Sequence, residues 1–520
     1  MVKNWLKYNK WTSFYLLWVC GITIVFSFFV LDLDDRHDLI VYNTLFVILL
    51  TCFFLLIKGK IGGIVLVLFS VFALVPAFIE AGWFLIDKSV LIRTQFWVIF
   101  DTNPAEARGF LSMIQLWQWA LLFCYMIICC SLLVLACRER KKKETCCNHS
   151  KTISFIGCLL SMSLVLIPGV RYNVPCINFY NSYRGYYADV QRARNFMLSR
   201  QDLSGQVMNN FQDSVATVVV IIGESLNKNH CSLYGYCRQT TPLLDKREDI
   251  RIYRNVESPS FMTQEVLQQV LTFANRANPE ARWNSPTLQE LLNAAGWHTY
   301  WFDPFEGKNN TANSQPTGFS SIAKLCTTYH LCDDSEQFDG ALLCHLDTIL
   351  DDTSSSRKAI FFHLIGNHFP YESRYPQNFN FFSSNDICSA FVNQLSSKQK
   401  CVINAYDDAV RYNDWVIDSV LNRLCRVQHS CAMLYFSDHG EEIYDYDFYA
   451  GRSFNHITRS LYEIPCIFWQ NKVYEKSNPL YIDCSVDYCT EDMIHSLLDL
   501  FAVSYVQQDT CHSLFRKNSP

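Results

Sequence analysis

The chain has 520 residues, of which 50% are hydrophobic, 15% aromatic and only 18% charged, with a net charge of -5. A charged share below the roughly 25% of an ordinary soluble protein points to membrane segments, and the acidic balance excludes a nucleic-acid binder that works through positive charge. The length accommodates a membrane domain and one large soluble domain.

Five apolar segments precede residue 171: Trp11–Leu31, Leu39–Ile57, Ile61–Ile86, Phe110–Cys137 and Thr152–Val170. Each is near the ~20 residues that cross a hydrocarbon core as a helix, so residues 1–170 are expected to form a domain of five transmembrane helices. The first segment is long, lacks a small-residue cleavage site and is followed by further spans, which reads as an uncleaved helix rather than a signal peptide. Lys3, Lys7 and Lys10 precede the first span, Lys58 and Lys60 join the second to the third, and Arg138, Arg140, Lys141, Lys142 and Lys143 follow the fourth. Basic loops stay in the cytoplasm, so an odd number of spans starting inside places everything after Val170 outside it. Of 23 cysteines, 14 fall after residue 170, as an oxidising compartment permits. Cys326/Cys332, Cys425/Cys431 and Cys484/Cys489 are spaced to close short loops, although spacing does not determine connectivity.

Residues 171–213 are polar, Tyr-rich and Arg-rich, with a helical pattern over Arg192–Leu203, and read as a bridging arm near the membrane surface. From Ala216 strands alternate with helices, so residues 214–520 are expected to fold as one α/β/α domain. Thr217–Ile222 is a buried parallel strand. Leu288–Ala295 is helical and stops at Gly296 before the strand His298–Phe302. Ala359–Leu364 and Ala432–Phe436 are further buried strands, Tyr406–Leu424 has helical periodicity, and Pro465–Trp469 is another strand.

Three of these strands end in polar clusters: Gly223-Glu224-Ser225, Gly366-Asn367-His368 and Ser437-Asp438-His439-Gly440. A parallel sheet brings such ends to one edge, so Glu224, His368, Asp438 and His439 are expected to converge. Two carboxylates and an imidazole, joined by a hydroxyl, suit a four-ligand divalent site with zinc or manganese. Each residue alone has a plainer reading: Glu224 as a helix cap, His368 as a polar residue before Pro370, Asp438-His439 as a polar turn.

Gly223-Glu224-Ser225, Ser232-Leu233-Tyr234-Gly235-Tyr236, Arg238-Gln239-Thr240-Thr241-Pro242, Gly366-Asn367-His368, Ser437-Asp438-His439-Gly440-Glu441 and Ile464-Pro465, in this order, resemble the motifs of bacterial phosphoethanolamine transferases. These are membrane-anchored members of the sulfatase/alkaline phosphatase-like superfamily. The resemblance implies an α-helical membrane domain of five transmembrane helices plus an α/β/α sulfatase-like (alkaline phosphatase-like) periplasmic domain, in the bacterial inner membrane. It implies zinc (manganese as the alternative) held by Glu224, Asp438, His439 and a threonine that is also the nucleophile. The family's threonine follows its glutamate by about forty residues, which selects Thr263, with Ser258 and Ser260 as rivals. His368 and His456 match histidines that face the transferred group or a second metal. Thr102 and Glu106 match the segment that holds the donor headgroup, although Val98 stands where many relatives have Asn; Glu80 is a weaker candidate.

The implied reaction moves phosphoethanolamine from phosphatidylethanolamine to a lipid or glycan acceptor (lipid A, lipopolysaccharide core or another glycan) through a phospho-threonine intermediate, in a monomer. Alternatives are a phosphoglycerol transferase of similar fold and an inactive membrane sensor or scaffold. A soluble-type sulfatase is disfavoured, because Ser258-Pro259-Ser260 lacks the arginine of that motif.

Overall fold

Long apolar runs become helices in the first of two units, Met1–Asp189, and the alternating pattern builds a sheet in the second, Val190–Pro520. The computed structural model describes residues 10–27, 33–57, 59–87, 111, 114–140, 155, 173–198, 203, 205–302, 326–329, 338–383, 386–454 and 456–516.

In the first unit three helices are long and apolar enough to cross a membrane among the described residues, over His37–Phe54, Gly59–Leu85 and Leu116–Arg140. The first expected span is interrupted at Gly21 into helices Lys10–Cys20 and Ile22–Ser27. The fifth, 152–170, lies outside the described residues apart from Phe155. Arg140 is buried, and its Nη1 donates to the Phe54 and Ile57 carbonyls at 2.8 and 2.6 Å. It thereby satisfies carbonyls that a helix end leaves without partners. The helix expected over Arg192–Leu203 instead spans Pro175–Leu198, and Leu203 lies outside it. Proline suits the first turn of a helix, whereas the Tyr- and Asn-rich residues that follow it gave no clear apolar stripe.

The second unit is organised on seven strands: β1 (Ala216–Gly223), β2 (Arg251–Tyr253), β3 (His298–Phe302), β4 (Thr327–Tyr329), β5 (Arg357–His363), β6 (Ser430–Ser437) and β7 (Cys466–Gln470). They lie in the order β2-β7-β6-β1-β5-β3-β4. The neighbours from β6 through β1, β5 and β3 to β4 run parallel, and β7 runs antiparallel between β6 and β2.

Every residue of β1 is buried, because alternate side chains face opposite sides of a sheet covered on both. Val218, Val220 and Ile222 join a core with Val266, Leu291 and Leu497 from the helices Thr263–Val270, Leu288–Ala294 and Met493–Leu500. Val219 and Ile221 join the opposite core with Leu346 and Val416 from the helices Leu343–Asp351 and Ser397–Leu424. The α/β/α layering follows, with each such aliphatic side chain contributing about 1.5–3 kcal/mol on full burial. The helix Ser397–Leu424 starts nine residues before the expected Tyr406, at a capping box of Ser396 and Gln399; its polar first turns hid it from apolar periodicity.

Two of the expected short-loop disulfides do not form: Cys425, Cys431, Cys484 and Cys489 are free, and Cys431 is buried within β6. Cys332 lies outside the described residues. Among the described residues the bond that forms is Cys237–Cys388, which closes a separation of 151 residues. A short reach in sequence does not bring two Cβ atoms together when one of them points into a strand's core.

The stretch from His230 to Thr241, which holds the Ser232–Tyr236 motif and most of Arg238–Pro242, builds structure. His230 is fully buried between Asp407 (Nδ1 to Oδ1, 2.6 Å) and Asp445 (Nε2 to Oδ1, 3.2 Å). Arg238 Nη1 donates to Asp407 Oδ2 at 2.6 Å, and Thr240 Oγ1 donates to the His230 carbonyl. Burial pulls the imidazole down, but Asp445 and Asp407 outweigh it and push His230 up from 6.5 to about 10. The pair's contribution is therefore complete below about pH 6.5 and is lost as the pH rises through about 10. His230→Ala is expected to cost about 3–5 kcal/mol by leaving buried charge uncompensated. Urea denaturation across pH 6 to 10 checks this, and a wild-type advantage that does not shrink towards high pH contradicts it.

Candidate metal centre and active site

The register of the sheet brings the site together. Gly223 on β1 pairs with Ser437 on β6, so the next residues, Glu224 and Asp438, leave adjacent strand ends side by side. Asp438 N donates to the Gly223 carbonyl at 2.9 Å. Ser225 adopts a left-handed φ of 59°, uncommon for a residue with a Cβ and a form of strain that clusters at functional sites. That turn lets Ser225 N donate to Asp438 Oδ1 (3.1 Å) while its Oγ donates to Glu224 Oε1 (2.9 Å). One strained residue thus orients both carboxylates.

Two glycines permit close backbone approach. A Cβ on Gly366 would lie 2.7 Å from the Glu224 carbonyl oxygen, and Gly366 has φ +52°. A Cβ on Gly440 would lie 1.9 Å from the Ser460 carbonyl oxygen, so only glycine lets the chain turn away after His439. Asp339 holds the Gly366 turn through bonds from Ile365 N and Gly366 N at 2.8 and 2.9 Å.

Glu224, Asp438 and His439 are all buried, and each offers a ligand atom within 4.8 Å of the others. His439 Nδ1 donates to the Gly440 carbonyl at 2.7 Å, which leaves the lone pair on Nε2 as the ligating one. Nε2 lies 3.3 Å from both Glu224 Oε1 and Asp438 Oδ2. Thr263 opens the helix Thr263–Val270. Its Oγ1 donates to Glu224 Oε2 at 3.1 Å and lies 3.2 Å from His439 Nε2. The rival hydroxyls are engaged elsewhere: Ser258 Oγ donates to the Ser260 carbonyl and Ser260 Oγ to Glu265 Oε2.

A divalent metal fits these donors. Asp438 Oδ2 is buried without a hydrogen-bond partner, a costly arrangement for an anionic oxygen unless a cation completes it. Burial would push Glu224 up, but His439 and Arg452 hold it well below the usual carboxylate range. Asp438 is pushed up instead, first by burial and then by the Glu224 charge. Two buried carboxylates that cannot comfortably both ionise call for a positive ion between them.

His368 stands beside this cluster. Its Nδ1 donates to the Phe369 carbonyl at 2.7 Å, and burial, with Arg452 and Arg374 adding to it against the attraction of Glu224, lowers it to about 4. It is a neutral imidazole at physiological pH. His456 is placed differently: Nδ1 bonds Asp447 Oδ2 at 2.6 Å and the ring stacks on Tyr449 at 4.3 Å, so its contacts are with its own loop rather than with the carboxylates. Thr102, Glu106 and Val98 lie outside the described residues, and Glu80 is buried in the helix Gly59–Asp87.

Sequence reasoning missed two members. Glu441 is buried and accepts from Tyr371 OH at 2.9 Å. Arg452 reaches Glu441 and Glu224 from just after the ribbon formed by Glu442–Ile443 and Ala450–Gly451. A lone arginine in a loop carries no local pattern, and Glu441, at the end of Ser437–Glu441, has no local feature that separates it from a surface carboxylate.

The sulfatase family model matches residues 216–503, over half of the chain. The chain belongs to the sulfatase family. Within it, the chain is 31% identical over 345 residues to phosphoethanolamine transferase EptC of Escherichia coli (strain K12), covering 64% of this chain and 59% of that protein. The chain therefore matches about three-fifths of the length of that relative. The crystal structure of the C-terminal periplasmic domain of Escherichia coli EptC in complex with zinc is similar at 29% identity, with a TM-score of 0.55 over 60% of this chain and 90% of that one. Integral membrane phosphoethanolamine transferase A (EptA) of Neisseria meningitidis, at 18% identity, matches with a TM-score of 0.68 over 98% of both chains. At that identity the likeness speaks for the fold: apolar helices joined to a sulfatase domain.

Proposed function

We propose that this sulfatase-family chain transfers phosphoethanolamine from phosphatidylethanolamine to a lipid or glycan acceptor at the outer face of a bacterial inner membrane. The observation that carries the reading is the meeting of the Thr263 hydroxyl with Glu224, Asp438 and His439 in a buried cluster. Relatives named for this activity support it. Five spans, the fifth of them in 152–170, fit the anchoring that a lipid donor calls for.

Glu224, Asp438, His439 and Thr263 would hold the metal, with zinc preferred for two carboxylates and an imidazole and manganese as the alternative. When bound, such an ion neutralises developing charge and favours the ionised form of a hydroxyl.

The chain's own groups supply the rest. Thr263 Oγ1 already directs its proton at Glu224 Oε2, a carboxylate held ionised, and its oxygen attacks the phosphorus of the donor. The bond from phosphorus to the diacylglycerol oxygen breaks, and diacylglycerol leaves with a proton equivalent to the one that Thr263 gives up, so that phosphoethanolamine remains on Thr263. The acceptor oxygen then attacks the same phosphorus and Thr263 Oγ1 leaves, recovering as a hydroxyl with a proton equivalent to the one that the acceptor gives up. Neutral His368 is suited to accept the acceptor's proton, and His456 supplies a second imidazole, oriented by Asp447. Thr102 and Glu106 are assigned to the donor headgroup.

Vesicles carrying labelled phosphatidylethanolamine or labelled phosphatidylglycerol test the donor. Diacylglycerol is expected from the first, and release from phosphatidylglycerol alone overturns the assignment in favour of a phosphoglycerol transferase.

A further inference from the structure

Arg452 occupies a position that no ligand role explains. Its Nε lies 3.3 Å from Glu441 Oε2, and its Nη2 3.8 Å from Glu224 Oε1. Nη1 donates to the Phe261 carbonyl at 3.3 Å and to His439 Nε2 at 2.5 Å. The guanidinium therefore lies between the loop that delivers Thr263 and the carboxylate cluster. Its side chain is 22% exposed while that of Glu224 is 2%, so it reaches from the buried cluster toward solvent.

In its neutral form His439 has one lone pair, on Nε2, because Nδ1 holds the ring proton against the Gly440 carbonyl. That lone pair serves either the arginine N–H or a metal, not both. Two cations also repel strongly at such separations in a buried site. The metal and the guanidinium are thus rivals for the same nitrogen and the same carboxylates. Glu441 and the Phe261 carbonyl still hold the arginine once it gives up His439, and Phe261 stands two residues before Thr263. A planar fork held there matches two non-bridging oxygens of a phosphate.

We propose that Arg452 is a phosphoryl-binding arginine whose guanidinium competes with the metal for His439 and is turned by that competition toward the group transferring to Thr263. The phosphoryl half rests on the transferase reading above; the competition half does not. Bound to those oxygens, the guanidinium stabilises the charge that builds in the transition state.

The test uses the full-length protein with Arg452→Gln and Arg452→Lys, each confirmed as folded by its melting transition. Zinc affinity is measured by chelator competition, and donor cleavage by diacylglycerol release from phosphatidylethanolamine vesicles. Arg452→Gln is expected to bind zinc about 5–150-fold more tightly, the usual span of a coupling between two ligands, while kcat falls about 100- to 1,000-fold with little change in KM. Arg452→Lys keeps the charge without the fork, so it holds zinc affinity near the parent value and recovers only part of the rate. Unchanged or weaker zinc binding in Arg452→Gln overturns the competition. An unchanged kcat overturns phosphoryl binding. If the parent protein cleaves no phosphatidylethanolamine, the donor reading itself fails, and the zinc arm still decides the competition.

Discussion

Thr263→Ala is expected to lower phosphoethanolamine transfer by at least about 10,000-fold, on the scale of losing a catalytic nucleophile. The expectation rests on placement: Thr263 Oγ1 lies 3.1 Å from Glu224 Oε2 and 3.2 Å from His439 Nε2, whereas Ser258 and Ser260 are engaged with Ser260 O and Glu265. Neither serine can take over without breaking those bonds and moving the helix start. Thr263→Ser keeps the oxygen and loses only a methyl group, so it should retain measurable transfer. The fold should tolerate both changes, since Thr263 is a half-buried first-turn residue whose neighbours Val266 and Leu267 carry the packing. Assay of labelled headgroup release in both variants checks this; near-parent activity in Thr263→Ala would remove the threonine from the chemistry.

Asp438→Asn is expected to separate metal binding from folding. Oδ1 accepts from Ser225 N and His439 N at 3.1 and 2.7 Å, and an amide oxygen can accept the same bonds. What the substitution removes is the negative charge on Oδ2, the buried oxygen without a partner. Zinc affinity should fall by more than the roughly 10- to 100-fold typical of losing an outer partner of a ligand, and transfer should fall with it. Stripped of metal, however, the variant should be more stable than the parent, because Glu224 no longer faces a second buried carboxylate. In the parent, metal at 100 times its Kd adds about 2.7 kcal/mol, and that increment should be largely missing from Asp438→Asn. Melting curves with and without chelator read both signs; a variant that keeps the full metal-induced gain would exclude Asp438 as a ligand.

The elements legible in the sequence were those built from short-range pattern. β1, β5 and β6 read as uniform apolar runs, and the abrupt polar ends after Ile222 and Phe436 pointed to Glu224 and Asp438-His439. Gly296, with φ +82°, marked the stop between the helix Leu288–Ala294 and β3. What stayed hidden depended on distant partners. Arg452 joins the cluster only because the ribbon of Glu442–Ile443 and Ala450–Gly451 folds it back over the strand ends. The Cys237–Cys388 bond spans 151 residues, beyond any spacing rule. Ser225 takes its left-handed turn because it serves Asp438 and Glu224 at once. The Ser232–Tyr236 and Arg238–Pro242 motifs marked the family, yet His230 and Arg238 serve a buried ion network around Asp407 rather than the reaction.

The central claim, that Thr263 carries the transferred group, is tested most directly by trapping it. Full-length protein is mixed with vesicles of headgroup-labelled phosphatidylethanolamine without acceptor, quenched in acid, digested and read by peptide mass spectrometry. The account predicts a phosphoethanolamine increment on Thr263, absent from Thr263→Ala. Label on Ser258, Ser260 or another residue, with Thr263 unmodified, would contradict it.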